Sequence, residues 1–293
     1  MTQSVPTAPP STVHTSQPVT HYENFPVASI LCPPHLRGAI AAIYHFARTA
    51  DDLADEGQVD AATRLADLQA YRADLLAIAS GQPGSGRWAA VFAPLQQILQ
   101  THQLPVQLLI DLLDAFEQDV RYTSEKRRYA DDSELLDYCR RSANPIGRLL
   151  LHLYKVQDET ALVQSDHICS ALQLINFWQD VSLDAQRGRW YITQEGMARY
   201  ALTDADFSPA SNSQNASLLI ADYVSSARAM MLKGSALPLT VPGRAGWELR
   251  LVVQGGLRIL DKIEAMGYVT WRQRPKLGVW DVPVLIWRAV WMR

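Results

Sequence analysis

From His21 onward, apolar residues recur at the third and fourth positions almost throughout the chain. Leu68, Tyr71, Leu75 and Ile78 form one such stripe, with the 3.6-residue period of an amphipathic helix. Alternating strand patterns, strand–Gly–strand hairpins and 20–50-residue repeats are missing. Such a chain buries its apolar surface by packing helix on helix. The period predicts helices over 34–55, 61–80, 87–100, 105–122, 133–155, 165–184, 214–233 and 246–266. Pro105 marks a first turn, and Ser133 and Ser165 are N-cap candidates. The expected architecture is all-α: a single domain over 21–293, a bundle of about eight helices around a central space.

Residues 1–20 hold four prolines, eight Ser/Thr and no charged residue, which predicts a disordered tail. Of the 293 residues, 48% are hydrophobic and 19% charged, and the net charge is −3. This balance excludes a general nucleic-acid binder. Cys32, Cys139 and Cys169 are an odd set without a CxxC pair, which argues against a disulfide framework or structural zinc. There is no run long and apolar enough for a transmembrane helix and no secretory signal pattern, so the expected compartment is the cytoplasm. The charge is uneven. Residues 244–293 carry nine basic and four acidic side chains, a local net of +5, which leaves −8 on the rest.

Two acidic clusters each close a strongly apolar helix. One is Asp51-Asp52-Leu-Ala-Asp55-Glu56, and the other is Asp180-Val-Ser-Leu-Asp184. In each, two aspartates stand at i, i+4 and project from one face; Asn176 extends the second line backward. Acids at a helix C-terminus oppose the macrodipole, so a counter-charge is expected. Hard carboxylate oxygens without His or Cys suit Mg²⁺, which normally shares its shell with substrate phosphate oxygens. Arg48 precedes the first cluster, Arg189 follows the second, and Arg121, Lys126, Arg127 and Arg128 form a basic run between them. Acids, arginines and an apolar helical cavity together describe a site that removes diphosphate from an apolar molecule. Metal and Arg would stabilise the leaving group, and aromatic faces the cation.

These residues resemble the squalene/phytoene synthase family over about 21–275. Tyr44-His-Phe-Ala-Arg48-Thr-Ala-Asp51-Asp52-Leu-Ala-Asp55 is similar to its first aspartate-rich motif. Gln173-Leu-Ile-Asn176-Phe-Trp-Gln-Asp180-Val-Ser-Leu-Asp184 is similar to the second, and Arg189-Trp-Tyr191 to the Arg-x-Tyr that follows. Arg128-Tyr129, Leu136-Asp-Tyr138-Cys139 and Gly147 match the middle block. The resemblance implies an isoprenoid-synthase-type helical bundle. It implies that Asp51, Asp55, Asn176, Asp180 and Asp184 hold Mg²⁺–diphosphate, that Arg48, Arg128, Arg189 and Tyr191 contact the diphosphate, and that Tyr44 faces the cation.

The chain departs from the family pattern at Leu183, where an acid is usual, and at Ser142-Ala143-Asn144-Pro145, where Val-Ala-Gly is usual. The segments His21-Tyr-Glu-Asn-Phe-Pro-Val27 and Arg140-Arg-Ser-Ala-Asn-Pro145 resemble the family's hydroxysqualene synthase branch, which belongs to hopanoid biosynthesis. That branch implies rearrangement of presqualene diphosphate and quenching of the cation by water, without NADPH. Asn144, Ser142, Tyr44 or His45 would order the water. It also implies transient contact with a presqualene diphosphate synthase and a downstream reductase. The alternatives are a condensing synthase that joins two allylic diphosphates and a non-catalytic lipid-binding homologue.

Trp247, Trp271, Trp280, Trp287 and Trp291 crowd the end of the chain. Asp281 and Pro283 read as the N-cap and first turn of a short helix over 279–293. That helix either packs on the core or touches a membrane interface, which would place the protein peripherally on the inner face of the cell membrane.

Overall fold

The computed structural model describes residues 32–292, so the tail at 1–20 and the 21–27 segment lie outside the described residues. Within them the regular structure is helical, with no strand. Helix α1 (Arg37–Asp55) buries Ala39, Ala42, Ile43, Phe46, Ala50 and Ala54. Those residues form one stripe, so Tyr44, Arg48, Asp51 and Asp55 run along the opposite face. Next come α2 (Ala61–Ala79), α3 (Ala89–His102) and α4 (Val106–Glu125). These four pack around Phe46, Leu68, Tyr71, Leu95 and Leu109.

The second half centres on α7 (Glu159–Gln179), which follows α5 (Asp132–Ser142) and α6 (Asn144–Leu153). Its turns are buried on nearly every side because α5, α6, α10 (Gln214–Gly234) and α12 (Gly243–Ala265) all pack against it. Gly147 on α6 allows the close approach to α7: an added Cβ there would lie 2.4 Å from Ser165 Oγ and 2.5 Å from Cys169 Sγ. The short helices α8 (Val181–Gln186), α9 (Gln194–Arg199), α11 (Leu237–Thr240) and α13 (Val282–Val290) complete the set. The two acidic motifs therefore come from different halves, α1 in one and the α7–α8 junction in the other.

Several boundaries differ from expectation. The predicted 133–155 helix is two helices, divided at Ala143 because Pro145 has no N–H to continue the ladder. The predicted 165–184 helix begins earlier and breaks at Asp180, which has φ −104° and ψ 14°. The hydrogen bonds Asp180 N–H to Asn176 O (2.9 Å) and Asp184 N–H to Asp180 O (2.9 Å) still carry the i, i+4 spacing across the break. Asp131 and Asp158, rather than Ser133 and Ser165, accept the capping bonds from Glu134 N–H and Ala161 N–H, both 2.9 Å. An N-cap must leave helical dihedrals, and Ser165 lies inside α7. The thirteen α-helices among the described residues exceed the expected eight because two predicted helices are split and the short α9, α11 and α13 join them.

Asp281 does not cap α13 with its side chain. It accepts from Gly278 N–H (2.7 Å) and pairs with Arg258 (2.7 Å) and Lys262 (2.5 Å) of α12. Burial pushes its pKa up, but these partners outweigh burial and leave it at about 2. An acid held below its unfolded pKa adds stability that is present above about pH 4 and lost as pH falls through about 2. Asp281→Ala is therefore expected to cost about 2 kcal/mol at neutral pH. Chemical denaturation of wild type and variant should show this gap closing in acid.

Candidate active site

The site forms where the C-terminal end of α1 meets the α7–α8 junction. Along α1, Arg48 bonds Asp51 (3.1 Å), Asp52 (2.6 Å) and Glu56 (3.0 Å), which supplies the counter-charge that the spacing called for. Asp55 pairs with Arg189, with Arg187 3.9 Å away, and this pair ties the first motif to the segment after the second. Asp180 is held by both nitrogens of the Arg274 fork, Nη2 to Oδ2 at 3.0 Å. Burial raises the Asp51 carboxyl above its ordinary value. Burial and the charge of Asp180 lift Asp184 to about 7.

Beneath the acids lies an aromatic layer. Tyr191 stacks on Phe177 with ring centres 3.6 Å apart and planes 11° apart. Tyr129 and Tyr138 lie 6.0 Å and 6.1 Å from it. The Tyr138 hydroxyl donates to Asp119 at 2.6 Å. Asp119 is pushed to about 7, chiefly by burial and then by the charges of Asp51 and Asp184, while the Tyr138 bond opposes the rise. Asp119 thus lies within the field of both motifs. A narrow pocket lined by Phe177, Asp184, Arg189 and Tyr191 opens beside it. The Nε–H of Arg189 is buried without an acceptor and so suits an anionic ligand.

The sequence-predicted residues fall into two groups. Arg48, Asp51, Asp55, Asp180, Asp184, Arg189 and Tyr191 come together as described. Tyr44 and Asn176 are half-buried one turn before Arg48 and Asp180. Arg128 stands to one side, stacked 4.4 Å over Trp190 and bonded to Asp204 (2.7 Å). Asn144 is buried, and its Oδ1 accepts from the Ser170 hydroxyl of α7 (2.9 Å). The Ser142 hydroxyl is buried with no partner. His45 is exposed, and so is Leu183, where the family usually has an acid. Asp119 and Arg274 were not singled out from the sequence.

The donor set fits a hard dication. It is built of carboxylate oxygens, and Asp51 and Asp184 are raised by burial and then by their own acidic neighbours, Glu56 and Asp180 respectively. Among the described residues no three such groups close into a ready-made cage. A cation there would keep open positions for ligand oxygens. An acid raised above its unfolded value of about 3.9 makes the folded state bind more protons, so stability falls as pH rises from about 4 to about 7. A bound dication favours the ionised acids and reverses that loss. Added Mg²⁺ should raise Tm more at pH 8 than at pH 5, read by thermal unfolding without substrate. An equal shift at both would contradict the site.

The family model described as squalene/phytoene synthase matches residues 19–281. Hydroxysqualene synthase of Sinorhizobium fredii is 31% identical over 83% of this chain and 79% of that protein. Hydroxysqualene synthase of Zymomonas mobilis is 38% identical over 63% of this chain. The match spans only 59% of the Zymomonas protein. Relatives named presqualene diphosphate synthase and 15-cis-phytoene synthase also match. The crystal structure of squalene synthase HpnC from Alicyclobacillus acidocaldarius superposes with a TM-score of 0.76 at 34% identity, covering 85% of this chain and 90% of that one. With both acidic motifs joined through Arg189 and Asp55, and this match over nearly the whole chain, the protein belongs to the squalene/phytoene synthase family.

Proposed function

We propose that the protein is a hydroxysqualene synthase. It would ionise presqualene diphosphate, rearrange the cyclopropylcarbinyl cation and let water quench it to hydroxysqualene. The observation that carries the diphosphate chemistry is the junction of the two motifs through the Arg189–Asp55 pair, with Arg48, Asp180 and Asp184 alongside. The identity to hydroxysqualene synthases supports this branch over the condensing members.

Asp51, Asp55, Asn176, Asp180 and Asp184 would hold Mg²⁺, which supplies electrostatic stabilisation of the departing diphosphate. Arg48 and Arg189 bind and orient the diphosphate, and Arg128, which stacks on Trp190 next to Arg189 in the chain, would join them once released from Asp204. The buried Nε–H of Arg189 offers the diphosphate a donor already in place. Tyr191, stacked on Phe177, would offer π density to the cyclopropylcarbinyl cation, with Tyr44 on the α1 side. The packed aromatic layer excludes bulk water, so a single ordered water decides the product. Asn144, fixed by Ser170, and the unpartnered Ser142 hydroxyl are the polar groups proposed to hold it. The reaction as proposed uses no NADPH. Its isoprenoid substrate and product call for hand-over from a presqualene diphosphate synthase and to a reductase at a membrane surface.

Presqualene diphosphate with Mg²⁺ and no NADPH should give a C30 alcohol and diphosphate by mass spectrometry. Farnesyl diphosphate alone should give no C30 product. A C30 hydrocarbon or presqualene diphosphate from farnesyl diphosphate would assign the protein to the condensing branch instead.

A further inference from the structure

Helix α13 is built inside out. A surface helix ordinarily buries its apolar stripe and shows polar residues to water. Here the inward contacts are polar. Asp281 reaches Arg258 and Lys262, Arg288 reaches Asp261 at 2.7 Å, and Arg250 donates to the carbonyl of Ala289 at 3.3 Å. Ala289 is the one buried residue of the helix. Val284 and Leu285 are part-buried, but the larger apolar face points outward: Val282, Ile286, Trp287 and Val290 are each half-exposed or more, and the flanking Trp280 is 87% exposed and Trp291 60%. Positions 282, 286, 287, 290 and 291 lie on one side of a helix, so these groups form one face. Trp247 of α12 extends it, lying beside Arg250, whose guanidinium is 4.7 Å over its ring.

An apolar face fixed outward by four polar contacts needs an apolar partner. We propose that this partner is the surface of an anionic phospholipid bilayer, with α13 lying in the plane of the interface. Charge selects it. The 244–293 segment carries a net +5 while the remainder carries −8, and Arg244 and Lys276 are exposed, the first one turn before Trp247 on α12 and the second joined through its carbonyl to Lys262, the partner of Asp281. A second copy would bring the same positive segment against itself, whereas anionic headgroups are attracted to it. Tryptophan also suits the interface, since the indole buries its ring among acyl chains and keeps its N–H at headgroup level. No helix among the described residues is long and apolar enough to cross a membrane, so the contact is one of lying on the surface.

The test uses the full-length protein without substrate, so its outcome is separate from that of the proposed reaction. Vesicles of phosphatidylcholine alone and of phosphatidylcholine mixed with phosphatidylglycerol are sedimented with the protein. Binding is expected to the mixed vesicles, weakened by salt, with a blue shift of tryptophan emission. The pair Ile286→Asp and Trp287→Asp should lower the bound fraction about tenfold or more. Trp280→Ser, beyond the helix, should lower it less and guards against misfolding, with Tm as the check. Arg244→Glu with Lys276→Glu should lose the preference for phosphatidylglycerol. The proposal is overturned if wild type stays in the supernatant with both vesicles, or if the Asp variants bind as wild type does. It is equally overturned if ultracentrifugation shows a dimer that those variants dissociate, which would make the occupant a second copy.

Discussion

Asp184→Asn is expected to lower kcat by about 10³-fold or more while the protein stays folded. The amide fills the same space but offers one neutral oxygen in place of a carboxylate. Burial and Asp180 already hold this acid near pKa 7. Its ionised form is therefore costly unless a cation neutralises it, and that cost is tolerable only if the charge is used. The same substitution should leave metal-free stability at pH 8 unchanged or higher, because it removes a part-buried charge repelled by Asp180. It should also shrink the Tm gain from Mg²⁺. The combination separates a lost cation site from a damaged fold. A variant within tenfold of wild type in diphosphate release would remove Asp184 from the site.

Arg189→Met should lower kcat/KM by about 10²–10³-fold. Arg189 pairs with Asp55 across the two halves of the molecule and keeps a buried Nε–H without an acceptor. Its loss removes the proposed diphosphate donor and leaves Asp55 with the distant Arg187 at 3.9 Å. Arg189→Lys should recover only part of the activity, since an ammonium cannot reproduce the planar fork. If Lys restored full activity, charge alone would suffice and the directed Nε–H would have no role.

The sequence displays both acidic motifs because their logic is local: an i, i+4 pair at the end of an apolar helix is visible within a dozen residues. That these two helix ends meet is a matter of packing, and Arg189–Asp55 joins positions 134 residues apart. Asp119 escapes notice because it sits among Glu117, Gln118 and Arg121, where one more acid looks like solvated surface. What distinguishes it is Tyr138 and the field of Asp51 and Asp184, all distant in sequence or on other elements. Arg274 is hidden similarly, in a basic stretch whose partner Asp180 lies 94 residues away. The α5–α6 break had its signal in Pro145, which the apolar period on both sides overrode. At the other end, the count of tryptophans was plain, but not that Asp281, Arg258 and Lys262 would turn the apolar face of α13 outward.

The most direct measurement of the central claim is the origin of the product oxygen. Protein, presqualene diphosphate and Mg²⁺ are mixed in H₂¹⁸O without NADPH, and the C30 products are analysed by mass spectrometry. If water quenches the cation, the alcohol carries ¹⁸O. An unlabelled alcohol, or a C30 hydrocarbon in its place, would contradict the reading of this site as one that admits a single water.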